Sequence, residues 1–334
     1  MNNFFKTLFF TTLISGTMIA ISSYSWMSMW IGLEINLLSI IPLLSDSKNL
    51  YPSESALKYF ITQALASAIL LFSIISSMNL NEFLSPGTNL FLMMIMNSTL
   101  LTKMGAAPFH AWFPEVAEGL NWMNNLILLT WQKIAPMILI MYNFKMTLFL
   151  SAIIVFSSVV SGILGLNQIS LRKILAYSSI NHIGWMVGSM FTSQTIWLIY
   201  FLTYSLITLN IILIFFSMNV FYLKQMFNVL NLNKSFKFFF ILNFLSLGGL
   251  PPFLGFFPKW LTINNLIQSN FVVLSVVLIT FTLITLFFYL RVIFSTLVIN
   301  TQESIINQEN FSSFLINFLN LISLSGLIVC TLIF

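Results

Sequence analysis

The chain has 334 residues, 58% of them hydrophobic and only 6% charged, with a formal net charge of +5, whereas a soluble domain carries roughly a quarter charged residues. That balance excludes an ordinary soluble protein. A bilayer core needs about 20 apolar residues per helix, so with short connections the length accommodates about eleven spans, and runs such as ILLFSIISSM and FVVLSVVLITFTLITLFFYL lack the alternation of an outer-membrane barrel.

Apolar runs bounded by polar or Gly/Pro punctuation place helices at about residues 4–23, 25–45, 56–79, 89–116 (interrupted), 120–142, 146–167, 174–191, 195–219, 236–268 (interrupted), 271–294 and 312–333. The expected architecture is all-α: a polytopic membrane protein whose short connections leave a single transmembrane domain over residues 1–334. The first segment, with Lys6 ahead of an apolar stretch, reads as a retained helix, because a second span follows almost at once and no convincing small-x-small cleavage site precedes it. With this parity Lys6, Lys48, Lys58, Arg172, Lys173, Lys224, Lys234, Lys237 and Arg291 share the side of the N-terminus, and only Lys145 falls opposite. By the positive-inside rule the N-terminus then faces the cytoplasm-like compartment.

The two interrupted spans read TKMGAAPFHAWFPE and SLGGLPPFLGFFPK. Setting Gly105 on Gly249 aligns Pro108 with Pro252, Phe109 with Phe253, Trp112 with Phe256, Phe113 with Phe257 and Pro114 with Pro258. Proline deletes a backbone donor and clashes with the preceding turn, so each site should open its helix at membrane depth. Paired broken helices in two halves that cross in opposite directions are the mark of inverted repeats with a working site near the midplane. Ordinary proline kinks in a Phe-rich sequence are the alternative.

Four ionisable residues sit away from span ends: Glu34, Lys103, Lys133 and Lys259. A charge at a helix centre costs about 2.5–3.5 kcal/mol, so such residues are retained for a function or a partner. Loss of hydration narrows the gap between ammonium and amine, which suits a lysine to taking and releasing protons. Snorkelling to the interface is the alternative for Lys103 and Lys133, and the uncertain start of the second half-helix leaves the depth of Lys259 open. His110, within the first interruption, and His182, in SSINHIGWM, can bridge water between lysines or satisfy a local carbonyl. Gly184 and Gly188 form a small-xxx-small face suited to helix packing.

No redox or nucleotide group is expected in this chain. Cys330 is the single cysteine, two histidines on separate segments are a poor case for haem, and no phosphate-cradling glycine pattern occurs. No metal site or nucleic-acid partner is expected either.

The stretches WIGLEINLLSIIPLL, ALKYFITQALAS, LLTKMGAAPFHAWFPEV, LTWQKIAPM, LRKILAYSSINHIGWM and GGLPPFLGFFPKW resemble the second-subunit family of mitochondrial NADH dehydrogenase, respiratory complex I, from about Trp26 to Trp260. That resemblance implies an antiporter-like fold with inverted repeats, and proton translocation driven by electron transfer from NADH to ubiquinone elsewhere in the complex. It implies a path through Glu34 paired with Lys103, then Lys133, then Lys259. NADH, FMN, iron–sulfur clusters and ubiquinone would lie in other subunits, and neighbouring antiporter-like subunits and membrane lipids would be the partners. The location implied is the mitochondrial inner membrane with the N-terminus in the matrix; eleven lysines against two arginines, with abundant Phe, Ile, Asn and Met, suit A+T-rich organellar coding. Relative to long antiporter-like proteins the sequence starts three helices late. A free-standing cation/proton antiporter of the same fold is the second reading, and a purely structural membrane protein, which the intramembrane charges disfavour, the third.

Overall fold

The computed structural model describes residues 2–46, 49–80, 86–191, 193–230 and 234–298, together with residues 318, 320, 321, 323 and 324. Lys48, Cys330 and most of the last expected span, 312–333, lie outside the described residues. The helices are α1 (Asn2–Ser22), α2 (Trp26–Leu44), α3 (Leu50–Leu80), α4 (Pro86–Met104), α5 (Trp112–Gly119), α6 (Trp122–Leu129), α7 (Trp131–Tyr142), α8 (Thr147–Gly165), α9 (Leu171–Met190), α10 (Gln194–Met218), α11 (Leu223–Leu230), α12 (Lys234–Gly248), α13 (Phe256–Gln268) and α14 (Val272–Val298). Among the described residues seven helical segments are long and apolar enough to cross a membrane. The chain divides into two compact units, Met1–Ile153 and Ile154–Phe334.

In the first unit α1 and α2 meet almost backbone to backbone. A Cβ added to Gly32 would lie 2.5 Å from the Ala20 nitrogen, and one on Gly16 would lie 2.9 Å from the Asn36 nitrogen. Small residues one turn apart permit this approach, the usual device where apolar burial gives no preference for helix over lipid. Helix α3 turns Leu57, Ile61, Leu65 and Phe72 outward, while Tyr59, Gln63, Ala66 and Leu70 are buried. This apolar-out, polar-in stripe inverts the pattern of a soluble helix and matches a lipid surround. The helix begins at Leu50, earlier than expected, because Pro52 is tolerated in a first turn and the polar Ser53–Ser55 stretch continues the helix.

The span expected at 120–142 is divided at Thr130 into α6 and α7. The Thr130 hydroxyl donates to the Leu126 carbonyl at 2.7 Å alongside the Thr130 backbone N–H, and the Lys133 N–H reaches back only to Thr130 O at 3.3 Å. Such back-bonding bends helices, and Pro136 leaves the Gln132 carbonyl without its helical donor.

In the second unit α9 is the central helix, with every residue from Ile174 to Met190 buried. Gly184 gives close packing, since a Cβ there would overlap the Ser157 hydroxyl of α8; at Gly188 the nearest atom would be an ordinary 3.6 Å away. The segments before α9 and before α11 lie side by side through a bridge between Ser170 and Tyr222, and Leu171 N–H donates to Phe221 O. From α14, Arg291 donates to the Leu166 and Gln168 carbonyls at 2.6 and 3.1 Å. Arg172, Lys173, Lys224 and Arg291, assigned by charge to one side, therefore belong to one end of this unit. Helix α11 itself was not expected from sequence, because eight residues containing Lys224, Gln225 and Asn228 read as a polar loop.

Candidate functional site

Helices α4 and α12 end in the same way. The Gly105 N–H donates to Thr102 O and the Ala106 N–H to Leu101 O; at the matching positions Gly249 donates to Ser246 O and Leu250 to Leu245 O. Both glycines have φ +75°. This double bond closed by a left-handed residue is the Schellman cap, which glycine adopts without a Cβ penalty. At matching positions further on, Phe113 N–H donates to His110 O and Phe257 N–H to Leu254 O. Residues 105–111 and 249–255 are non-helical, and each holds a cis X-Pro bond, Ala107–Pro108 and Pro251–Pro252.

Each glycine also makes room for a group that hosts an ammonium. A Cβ on Gly105 would lie 2.9 Å from the Phe113 ring, and the Lys133 ammonium stands 5.5 Å from the centre of that ring. Lys133 is only 1% exposed. A Cβ on Gly249 would lie 2.7 Å from the Lys259 side chain, whose ammonium donates to Gly248 O at 2.9 Å and faces the Trp185 ring at 5.8 Å. The carbonyl end of α12 and an aromatic face thus supply negative potential to Lys259. The sequence has no Asp or Glu between Glu118 and Glu303, so no acid in the described part of the second unit can do so.

Lys103, buried in the last turn of α4, opens on a small cavity lined by Asn36, Tyr59, Gln63, Gln132, Pro136 and neighbouring leucines. The space open to a water's centre is about 10 Å³, close to that of one water. Glu34 on α2 is half-buried, its Oε1 without a hydrogen-bond partner. Glu34 and Lys103 make no direct ion pair among the described residues. In the second unit His182 Nδ1 lies 2.9 Å from the Tyr200 hydroxyl, beside a similarly small cavity lined also by Tyr204, Ser246, Gly255 and Pro258. His110 Nδ1 lies 3.3 Å from the local Pro108 carbonyl. Of the six expected site residues, Glu34, Lys103, His110 and Lys133 belong to the first unit, and in the second His182 and Lys259 adjoin the turn between α12 and α13.

The transmembrane family model "NADH:quinone oxidoreductase/Mrp antiporter" matches residues 23–285. NADH-ubiquinone oxidoreductase chain 2 of Anopheles gambiae is 49% identical, and that of Aedes aegypti 51%, each over 98% of both chains. The chain belongs to the NADH-ubiquinone oxidoreductase chain 2 family. As in other antiporter-like chains, the fold is shared more widely than the sequence. A chain of respiratory complex I from Thermus thermophilus superposes with a TM-score of 0.89 at 22% identity, covering 99% of this chain and 79% of that one. A chain of the Mrp complex from Dietzia gives 0.76 at 14%, covering 89% and 61%.

Sequence reading missed the neutral members of the site: Asn36, Tyr59, Gln63 and Gln132 around Lys103, Tyr200 beside His182, and the rings of Phe113 and Trp185. Phe113 lay in the repeated motif, and Gln132 adjoins Lys133 in an otherwise apolar run, which were the available signals.

Proposed function

We propose that this chain is a core membrane subunit of a proton-pumping NADH:ubiquinone oxidoreductase, carrying protons through Glu34, Lys103, Lys133 and Lys259. The observation that carries the reading is the complete burial of Lys133 in an apolar helix, beside a turn built on a repeated motif. An ammonium so placed is expensive unless it is discharged or paired during function. The α4–α5 and α12–α13 turns act as interruptions of single spans in an eleven-span, inverted-repeat domain, and leave polar backbone beside the carriers. Proton entry to Lys103 is steered by Glu34 through space, and a water in the adjoining cavity carries the proton onward. Lys259 exchanges its proton beside the α12 carbonyls, with His182 a neighbouring relay; His110 has the weaker claim. Electron transfer takes place on NADH, flavin, iron–sulfur and ubiquinone groups of other subunits, and neighbouring antiporter-like subunits and lipids contact this chain. The subunit resides in the mitochondrial inner membrane with its N-terminus in the matrix.

Lys133→Met keeps an apolar stem and deletes the titratable nitrogen. In the assembled complex it should leave the amount of complex largely intact and reduce coupled proton translocation by about tenfold or more. Lys133→Arg should also fail, since arginine does not release its proton. Normal pumping by both variants would remove Lys133 from the path.

A further inference from the structure

Gln132 occupies an unusual position for a neutral residue. It is 9% exposed at the start of α7, immediately before Lys133. Its Nε2 donates to Asn36 Oδ1 at 2.9 Å, and its Oε1 accepts from the Tyr59 hydroxyl at 3.3 Å. The single amide therefore ties α7 to α2, which carries Glu34, and to α3. All three residues line the cavity that receives Lys103. An apolar side chain of the same length would fill the space equally well, so packing does not require the amide.

The local backbone shows what the amide does. The chain breaks helical continuity at Thr130, and Pro136 removes a further hydrogen bond from the first turns of α7. Lys133 thus stands on a segment whose own backbone ladder is depleted on both sides. A two-ended amide, donor at one end and acceptor at the other, fixes such a segment in one register. A neutral amide does not itself take up a proton in the physiological range, so Gln132 holds the carriers without being one.

We infer that Gln132 is a positioning residue, whose bonds to Asn36 and Tyr59 hold the Lys133 segment in register with the Lys103 chamber. The inference rests on the lysine path proposed above. Removing the amide leaves the carriers chemically intact but displaces Lys133, and a misplacement of about 1 Å is worth up to a hundredfold in a transfer step.

The test uses the whole complex in sealed inner-membrane vesicles carrying Gln132→Met, Tyr59→Phe, the double variant, or Lys133→Met. Gln132→Met should lower proton pumping per assembled complex by about tenfold, with a larger solvent deuterium isotope effect on coupled turnover. Tyr59→Phe should do the same to a smaller degree, and the double variant should be no worse than Gln132→Met, since both remove one link. Normal pumping and an unchanged isotope effect in Gln132→Met, with Lys133→Met inactive, would overturn the inference alone. Normal pumping in Lys133→Met would overturn the path itself. If Gln132→Met fails to assemble, Tyr59→Phe decides: an unchanged isotope effect per complex there rejects the positioning role, and a raised one supports it.

Discussion

At the scale of single residues, two different demands select glycine in the repeated turns. Gly105 and Gly249 lie at φ +75°, where a β-carbon costs about 1–2 kcal/mol. Gly255 has an ordinary helical φ of −64°, but an added Cβ would overlap the Ser246 carbonyl oxygen. Gly255→Ala must therefore push the end of α12 away from the start of α13, whereas Gly188→Ala meets its nearest atom at 3.6 Å and needs no movement. We expect Gly255→Ala to lower the thermal midpoint of the assembled complex and Gly188→Ala to leave it nearly unchanged, as followed by native electrophoresis after graded heating. Glu115 provides a contrast. It stands at the repeat position matching Lys259, yet it is exposed and bonds Lys58 at 2.8 Å across the α3–α5 contact. Surface ion pairs contribute little, so Glu115→Gln should keep pumping within about twofold of normal, whereas Lys259→Met should abolish most of it. The repeat thus fixes backbone geometry while leaving charge free to differ at equivalent positions.

At the scale of helices, most of the fold was legible because a lipid surround writes itself into the chain as long apolar runs with cations at their ends. The runs beginning at Trp26, Thr147 and Gln194 appear as helices within a few residues of expectation. Interior backbone detail was less legible. Thr130 divides a run that is apolar on both sides, and its back-bond to Leu126 depends on a rotamer that no periodicity records. The charges of the candidate site were visible because they are costly in lipid, while Asn36, Gln63 and Gln132 were invisible because a neutral amide in an apolar run leaves little compositional trace. Charge placement also carries a prediction about the connections. The α8–α9 and α10–α11 segments meet at the Ser170–Tyr222 bridge, so cysteines replacing Lys173 and Lys224 should react with an impermeant thiol reagent from the same side of the membrane. Opposite labelling would contradict the span parity from α9 to α11.

For the whole molecule, the balance of buried charge separates a proton carrier from a metal-cation exchanger. Lys103, Lys133 and Lys259 are all buried, Glu34 is half-buried, and the long stretch from residue 119 to 302 contains no acid at all. In the described part of the second unit a metal cation would meet buried lysine with no carboxylate to replace its hydration shell, which opposes its entry. A proton needs no such shell of carboxylates, only an amine able to accept it. Reconstituted alone in sealed vesicles, the chain should therefore show neither sodium nor potassium exchange against an imposed pH gradient, measured with a trapped pH-sensitive dye. Within the complete complex the same chain should support dye acidification on addition of NADH, and Lys133→Met should remove that signal while the complex remains assembled. Robust cation-dependent exchange by the isolated chain would favour the free-standing antiporter, because catalysis would then need no partner to supply the driving reaction.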